Sequence, residues 1–333
     1  MGSESQMKAV VITGVGGADV LQVRDVPRPE PAGDQIRVRV CACGLNRADL
    51  LQCRGFYPAP AGVPADIPGL EFAGEVDALG PNTTGPLRVG DRVFGIVAGG
   101  AQAEYVVTHE RMAVGIPQSL EMPQAGAVPE AFLTAHDALV TQGRVQPGES
   151  VLVHAVGSGV GTAAVQLAHA MGCLVFGTSR TADKLERARW LGLDHAINSS
   201  DQDLEETIRA LTNDRGIDVV IDLLGGAVLA SNLGVLASQG RLVLVGLLGG
   251  SKGALDFNLM LKKRLTIVGT TLRARPIEQK IAATERFARA VVPWLERGLV
   301  RPIVGSVFPI ERVRDAYEAL ESNSVFGKVV LTF

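Results

Sequence analysis

This 333-residue chain reads as an α/β protein in two parts: a β-rich domain that holds both chain ends and, inserted within it, a doubly wound parallel sheet. Three observations lead there. Residues 8–110 carry many short apolar runs at close spacing, divided by Gly and Pro, the pattern of a small barrel or sandwich. From about Pro129 onward, apolar strands alternate with helical segments of roughly ten residues, which argues for a parallel sheet. The final strand, 327–331, is too short to stand alone, so the C-terminal segment rejoins the first domain. The expected boundaries are therefore 1–126 with 273–333 for the β-rich domain and 127–272 for the parallel sheet; two simply sequential domains fit less well.

Residues 1–6, MGSESQ, are polar and expected to fray, part of them a remnant of an expression tag. Residues 7–13 form an apolar strand, and residues 16–21 turn into a second. Pro27, Pro29 and Pro31 mark a loop. In residues 35–42, Ile36, Val38 and Val40 alternate with Arg37 and Arg39, the period of a half-buried strand. Residues 44–54 predict a short helix or loop and 57–68 an ordered loop rich in Pro, Ala and Gly. Further strands fall at 69–79, 89–95 and 103–108, and a helix at 131–141. Strands at 151–155, 174–178, 196–198, 218–223, 241–246 and 265–272 then alternate with helices at 162–172, 182–191, 204–211 and 228–237. One long amphipathic helix is predicted over 277–296, followed by an extended segment, a helix near 310–320 and the last strand. There is no internal repeat.

Hydrophobic residues make up 47% of the chain and charged residues 20%, enough apolar material for sizeable cores. The net charge of −3 gives no footprint for nucleic acid or an anionic membrane. No secretory segment and no run of about 18 apolar residues occurs, so a cytoplasmic location is expected. Cys41, Cys43, Cys53 and Cys173 form no CxxC and are expected as reduced, packed thiols, with Cys41 and Cys43 sharing a strand face.

The chemistry centres on residues 151–167, VLVHAVGSGVGTAAVQL. An apolar run is followed by the turn Gly157-Ser158-Gly159-Val160-Gly161 and a helix of small and apolar residues. Strand, glycine turn and helix suit a dinucleotide: glycine lets the backbone approach a pyrophosphate, and the helix start offers free N–H groups. The pattern departs from strict G-x-G-x-x-G, because Val156 and Ser158 hold the first two glycine positions when Gly161 is aligned, and a tight structural turn is the alternative. In an NAD site an acidic residue about 20 positions on holds the ribose hydroxyl. Here the second strand ends Gly177-Thr178-Ser179-Arg180-Thr181. Ser179, Arg180, Thr181 and Lys184 suit a 2′-phosphate, which favours NADPH over NADH; alternatively, Thr181 only caps a helix and Arg180 is solvated.

The order of these features resembles the zinc-independent arm of the medium-chain dehydrogenase/reductase superfamily, most closely the zeta-crystallin-type quinone oxidoreductases. The resemblance runs from residue 7 to the C-terminus. It is carried by GGADVL (16–21), GLNRADLLQCRGFYP (44–58), IPGLEFAGEV (67–76), GDRVFGI (90–96), AEYV (103–106), VPEAFLTAHDAL (128–139), HAVGSGVGTAAVQLA (154–168) and GKVVL (327–331). It implies a GroES-like catalytic domain with a Rossmann domain, NADPH as cofactor, a small-molecule quinone substrate and a homodimer paired through the strand within residues 264–272. In the zinc-dependent arm a Cys shortly before an Asp, a His-Glu pair and a later Cys hold the metal. Here those first positions are Asn46 and Leu70, and the structural-zinc cysteines are missing. His109, His136, His154, His169 and His195 show no ligand spacing and read as structural or exposed, so a metal-free protein is expected. Without a Lewis acid, alcohol oxidation is difficult, whereas a quinone accepts hydride readily and its reduced oxygens can take protons from water.

The resemblance also implies that Asn46, Tyr57 and Thr134 line the cleft near the nicotinamide. Asn46 would donate to a quinone oxygen or orient the cofactor, Tyr57 cover the ring or donate a hydrogen bond, and Thr134 bind cofactor or water; none is a required general acid. A turn-stabilising Asn46 and a packed Tyr57 are the structural alternatives. Gly159, Val160 and Gly161 would meet the pyrophosphate with Ser158, and the backbone at Gly246, Leu247 and Leu248 the nicotinamide end. Leu272 and Arg273 would lie nearby, and Lys328 would be a phosphate-side cation. Gly249-Gly250-Ser251-Lys252 is not a P-loop, since Ser251 stands where glycine is required. Ser199 stands where relatives often carry Tyr, Arg180 where Gly is common, and His136 where an aromatic is common. Two other functions fit the same features: a 2-enoyl thioester or enone reductase, and a non-catalytic NADPH-binding protein.

Overall fold

The structure, a computed structural model, describes residues 5–333. The chain forms two compact units: residues up to Leu133 with Leu272–Phe333, and Thr134–Thr271. Residues 127–133, expected in the inserted domain, sit in the first unit, where Ala127 packs with Ala42 and Val330.

In the first unit β1 (Gln6–Ile12) pairs antiparallel with β2 (Leu21–Pro27). Gln6 thus opens a strand instead of fraying; residues 1–4 of that expected tail lie outside the described residues. The hub is β3 (Gln35–Gly44), followed by α1 (Arg47–Cys53), β4 (Glu71–Leu79), β5 (Arg92–Ile96), β6 (Tyr105–His109) and β7 (Ala113–Gly115). The strand β3 pairs antiparallel with both β4 and β6, and β4 continues through β5 to β7. Ile36, Val38, Val40, Cys43, Phe72, Val93 and Val106 fill this core. Val40 and Cys43 share one cluster although they are three residues apart, because the pairing with β4 slips between Val40 and Ala42. The irregularity parts the two neighbouring cysteines: Cys43 is buried and Cys41 is half-buried, so they do not share a face as period-two alternation predicts. Among the described residues all four cysteines are free thiols.

Short α2 (Met122–Ala125) and α3 (Pro129–His136) lead out of this unit, and α3 runs on as a π-turn over Asp137–Gln142. The second unit is a six-stranded sheet with every neighbouring pair parallel. In chain order it comprises β8 (Ser150–Val153), α4 (Gly159–Ala170), β9 (Leu174–Ser179), α5 (Ala182–Arg189), β10 (His195–Asn198), α6 (Leu204–Thr212), β11 (Ile217–Asp222), α7 (Leu229–Val235), β12 (Leu236–Leu244), α8 (Phe257–Lys263) and β13 (Thr266–Gly269). The spatial order β10-β9-β8-β11-β12-β13 reverses direction between β8 and β11. Open α/β sheets bind ligands at such a switch point, outside the carboxyl ends of the strands. Helix α8 was not foreseen; its signal is Asp256, whose carboxylate accepts the Leu259 N–H as an N-cap.

The chain then re-enters the first unit through α9 (Ile277–Ala290) and α10 (Val292–Glu296). These replace the single long helix expected over 277–296, because Pro293 has no N–H to continue α9 and instead starts α10. After β14 (Val304–Pro309) and α11 (Val313–Glu321), β15 (Lys328–Thr332) pairs antiparallel with β3. The last strand of the chain thereby joins β14 to the hub strand β3 of the β-rich unit. Among the described residues no helix is long and apolar enough to cross a membrane.

Candidate active site

In the second unit the switch point is built by the turn after β8. Ala155 takes a left-handed conformation (φ 52°), and Ser158 caps α4 by accepting the Gly161 N–H at 3.0 Å. A Cβ on Gly161 would lie 2.3 Å from the Ala155 carbonyl oxygen, so only glycine permits this approach. The geometry of a helix start leaves the Gly159 and Val160 N–H groups without intrahelical acceptors, at half-buried positions. Together with the positive end of the twelve-residue α4, they make a fitting cradle for a pyrophosphate.

At the end of β9, Ser179 is buried and its hydroxyl accepts the Thr181 N–H at 3.3 Å. Arg180 and Thr181 are exposed, and Lys184 is half-buried with its stem over Gly157. Thr181 is the N-cap of α5 by position, but its hydroxyl makes no capping bond. Gly246 accompanies exposed Leu247 and Leu248 in the loop after β12, and the Val245 and Gly246 N–H groups donate to the Asp222 carbonyl.

A buried network underlies these loops. His154 Nδ1 lies 2.8 Å from Thr178 Oγ1, and Nε2 lies 2.7 Å from Asn232 Oδ1. Asn232 Nδ2 donates to Asp222 Oδ2 at 3.1 Å, while Asp222 Oδ1 accepts the Leu224 and Gly225 N–H groups at 2.6 and 3.0 Å. With the Asn232 amide so oriented, Nε2 carries the imidazole proton and Nδ1 accepts from Thr178. Burial lowers the His154 pKa and keeps the ring neutral. Three strand ends, those of β8, β9 and β11, are thereby tied to α7.

The first unit holds a second cluster. Asn46 precedes α1, and its N–H donates to Asp49 Oδ2 at 2.7 Å; Asp49 Oδ1 accepts from the Gly69 N–H at 3.2 Å. The Asn46 amide donates to Gly44 O at 3.2 Å and to Glu71 Oε1 at 2.9 Å. Lys328 Nζ donates to Leu45 O at 2.7 Å and to Asn46 Oδ1 and Glu71 Oε1 at 2.6 Å each. Glu71 Oε2 accepts the Glu130 N–H at 2.9 Å. Glu71 is fully buried and Lys328 is 5% exposed. A Cβ on Gly44 would lie 2.4 Å from Glu71 Oε1, which explains the glycine at the end of β3. Burial raises Asp49 to about 6 despite its two backbone donors. Burial also raises Glu130 to about 8, with the nearby Glu71 charge as the next cause.

This geometry changes several expectations. Both Asn46 amide hydrogens are spent inside the unit, which leaves no N–H for a substrate oxygen. All three Lys328 donors are likewise spent, so it is the buried counterion of Glu71 and offers no N–H to a phosphate. Arg273 is 6% exposed and donates to Ala98 O, Tyr57 O and Gln52 Oε1, with its guanidinium 4.9 Å from the Tyr57 ring centroid. It secures the Tyr57 loop, whereas a cofactor role was expected; neighbouring Leu272 is buried. Thr134 is half-buried on α3. Glu71 and Glu130 were not singled out in the sequence, although both stand within its most informative stretches, IPGLEFAGEV and VPEAFLTAHDAL. Among the described residues no group of three or more His, Cys, Asp and Glu side chains is placed to hold a metal ion.

Residues 32–118 match the alcohol dehydrogenase GroES-like domain, and residues 159–289 match the family described as zinc-binding dehydrogenase. Over 331 residues the chain is 34% identical to the quinone oxidoreductase of Lama guanicoe, covering 98% of this chain and 97% of that protein. The chain belongs to the quinone oxidoreductase family of medium-chain dehydrogenases/reductases. Its first unit is the GroES-like domain of that family and its second the Rossmann domain, and it is an oxidoreductase. Two solved structures are similar to this chain over nearly its whole length. An NAD-dependent alcohol dehydrogenase is 34% identical (TM-score 0.88, 98% of this chain and all of that chain). A mycobacterial protein in complex with NADPH is 27% identical (TM-score 0.89, with the same coverage).

Proposed function

We propose that the protein is an NADPH-dependent quinone oxidoreductase that transfers hydride from NADPH to a small quinone without a metal ion. The observation that carries the metal-free part is the ammonium of Lys328, hydrogen-bonded to Asn46 and Glu71 beside Leu70. An amide, an aliphatic side chain and an internal cation make a poor donor set for zinc, which takes Cys, His or carboxylate ligands. The reading of NADPH rests on exposed Arg180 and Thr181 with Lys184 beyond the end of β9, residues 177–181 holding no carboxylate for a ribose hydroxyl. Bound dihydronicotinamide would supply the hydride. Ser158, Gly159, Val160 and Gly161 would hold its pyrophosphate, Ser179, Arg180, Thr181 and Lys184 the adenosine phosphate, and the Gly246–Leu248 backbone the nicotinamide end. Tyr57 and Thr134 would face the substrate, and Asn46 would act as a fixed wall. Among the described residues the edge strand β13 has one side unpaired, which supports a homodimer formed by strand pairing.

The test is oxidation of NADPH and of NADH, followed by dihydronicotinamide absorbance, with ortho- and para-quinones and one enoyl-CoA as acceptors. Quinone turnover with NADPH preferred is expected. Arg180→Ala should then raise the KM for NADPH about tenfold and leave that for NADH unchanged, the loss of one charge-assisted contact. Turnover confined to the enoyl-CoA would replace this reading with thioester reduction, and tight NADPH binding with no turnover would make the protein a non-catalytic binder.

A further inference from the structure

Reduction of a quinone needs a proton as well as a hydride, and most polar side chains of the cluster around Glu71 are spent on internal contacts. The N–H groups of Asn46 and Lys328 are all engaged. Asp49 is fully buried and accepts two backbone N–H groups. Within the cluster, Glu130 differs. Its N–H is fixed to Glu71 Oε2, but its carboxyl makes no hydrogen bond among the described residues, and the residue is half-buried. It stands in the first turn of α3, where Ala131, Phe132, Leu133 and Ala135 are buried while Glu130 and Thr134, one helical turn apart, remain accessible.

We infer that the Glu130 carboxyl is the proton donor of the reaction, delivering its proton to the oxygen that becomes anionic when the acceptor takes up hydride. The inference rests on the quinone-reductase reading above. The groups that face this carboxyl are Glu71 on β4 and Asp49 on α1, which oppose its ionisation, and Lys328 on β15 and Arg273 before α9, which favour it. Burial and the two carboxylates prevail, so the acid stays protonated to about pH 8. Atoms and charge balance. The acceptor gains a hydride from the dihydronicotinamide, which is oxidised. The Glu130 O–H bond breaks as an O–H bond forms on the acceptor. Solvent returns a proton to the accessible carboxylate before the next turnover. The Glu71–Lys328 pair holds the backbone of Glu130 in place.

The experiment compares wild type, Glu130→Gln and Glu130→Asp. The neutral isostere matches the protonated acid, so folding should survive, as circular dichroism would verify. In wild type, kcat should be flat below about pH 8 and fall above it, as for a required acid. Glu130→Gln should lose this alkaline limb and about ten- to a hundredfold in kcat, with NADPH affinity unchanged; Glu130→Asp should restore part of the rate with a shifted limb. Infrared pH titration of the protein alone should show a carboxylic C=O band disappearing near pH 8, absent in Glu130→Gln. A Glu130→Gln protein with wild-type kcat and an intact limb, or a Glu130 ionised throughout pH 6–9, overturns the inference while quinone turnover by wild type stands. Wild type that turns over no quinone overturns both the inference and the function it rests on.

Discussion

The two units each bury a polar network, but the networks differ in kind. In the Rossmann unit, a neutral imidazole, an amide and a hydroxyl link strand ends, and the one carboxylate, Asp222, is satisfied by Asn232 and two backbone N–H groups. In the GroES-like unit, Lys328 stands among Glu71, Asp49 and Glu130, with Arg273 the other nearby cation. A neutral network fixes backbone geometry, which is what a phosphate cradle requires. A charged network with excess carboxylate sets protonation states, which is what proton transfer requires.

The largest effect should come from breaking the charged network. Lys328→Met leaves Glu71 buried without its cation and should cost about 3–5 kcal/mol in urea unfolding, whereas adding Glu71→Gln to it should recover part of the loss. The two tryptophans make the unit affected visible: in a Trp190→Phe background, Trp294 reports on the GroES-like unit alone. A Lys328→Met cost no larger than that of a surface change would erase the contrast.

A smaller effect is expected from Asn232→Ala, about 1–3 kcal/mol, read as faster hydrogen exchange in β8 and β11. The pH trend sharpens it. The His154 pKa is lowered in the folded state, so below about pH 6.5 the unfolded chain binds the proton more readily and the Rossmann unit loses stability as pH falls. The smallest effect concerns Glu130→Gln. The wild-type carboxyl holds its proton to about pH 8 when folded but releases it near pH 4 when unfolded. Wild-type stability therefore falls as pH rises through that window. The variant should gain about 1 kcal/mol over wild type at pH 8 and nothing at pH 4, a figure reduced for partial exposure of the carboxyl.

What the sequence revealed follows the same contrast. The strand–turn–helix around Gly161 and the alternation through β12 were legible, because glycine, hydrophobic period and helix length are local signals. Residues 218–223 predicted β11 within a residue at each end. The charged cluster was not legible. Glu71 meets Lys328 across 257 residues, and nothing in either neighbourhood names the other. The resemblance places Lys328 on the phosphate side and Arg273 near the nicotinamide end, but a resemblance carries no record of which acceptors these cations meet. Arg37 shows the same limit: it alternates as a solvent-facing residue yet is 6% exposed, held by Asp77, Glu30 and the Pro29 carbonyl.

The pairing of β15 with β3 also orders events in time. A ribosome adds about 5–20 residues each second, and domains tend to fold as they emerge. The Rossmann unit is contiguous and can complete itself while the C-terminal segment is still being made. The GroES-like unit cannot: Glu71 is synthesised early, and its counterion arrives only with the sixth residue from the end. Until then β3 lacks one of its partner strands and Glu71 lacks its counterion, so the half of the protein begun first is the half finished last.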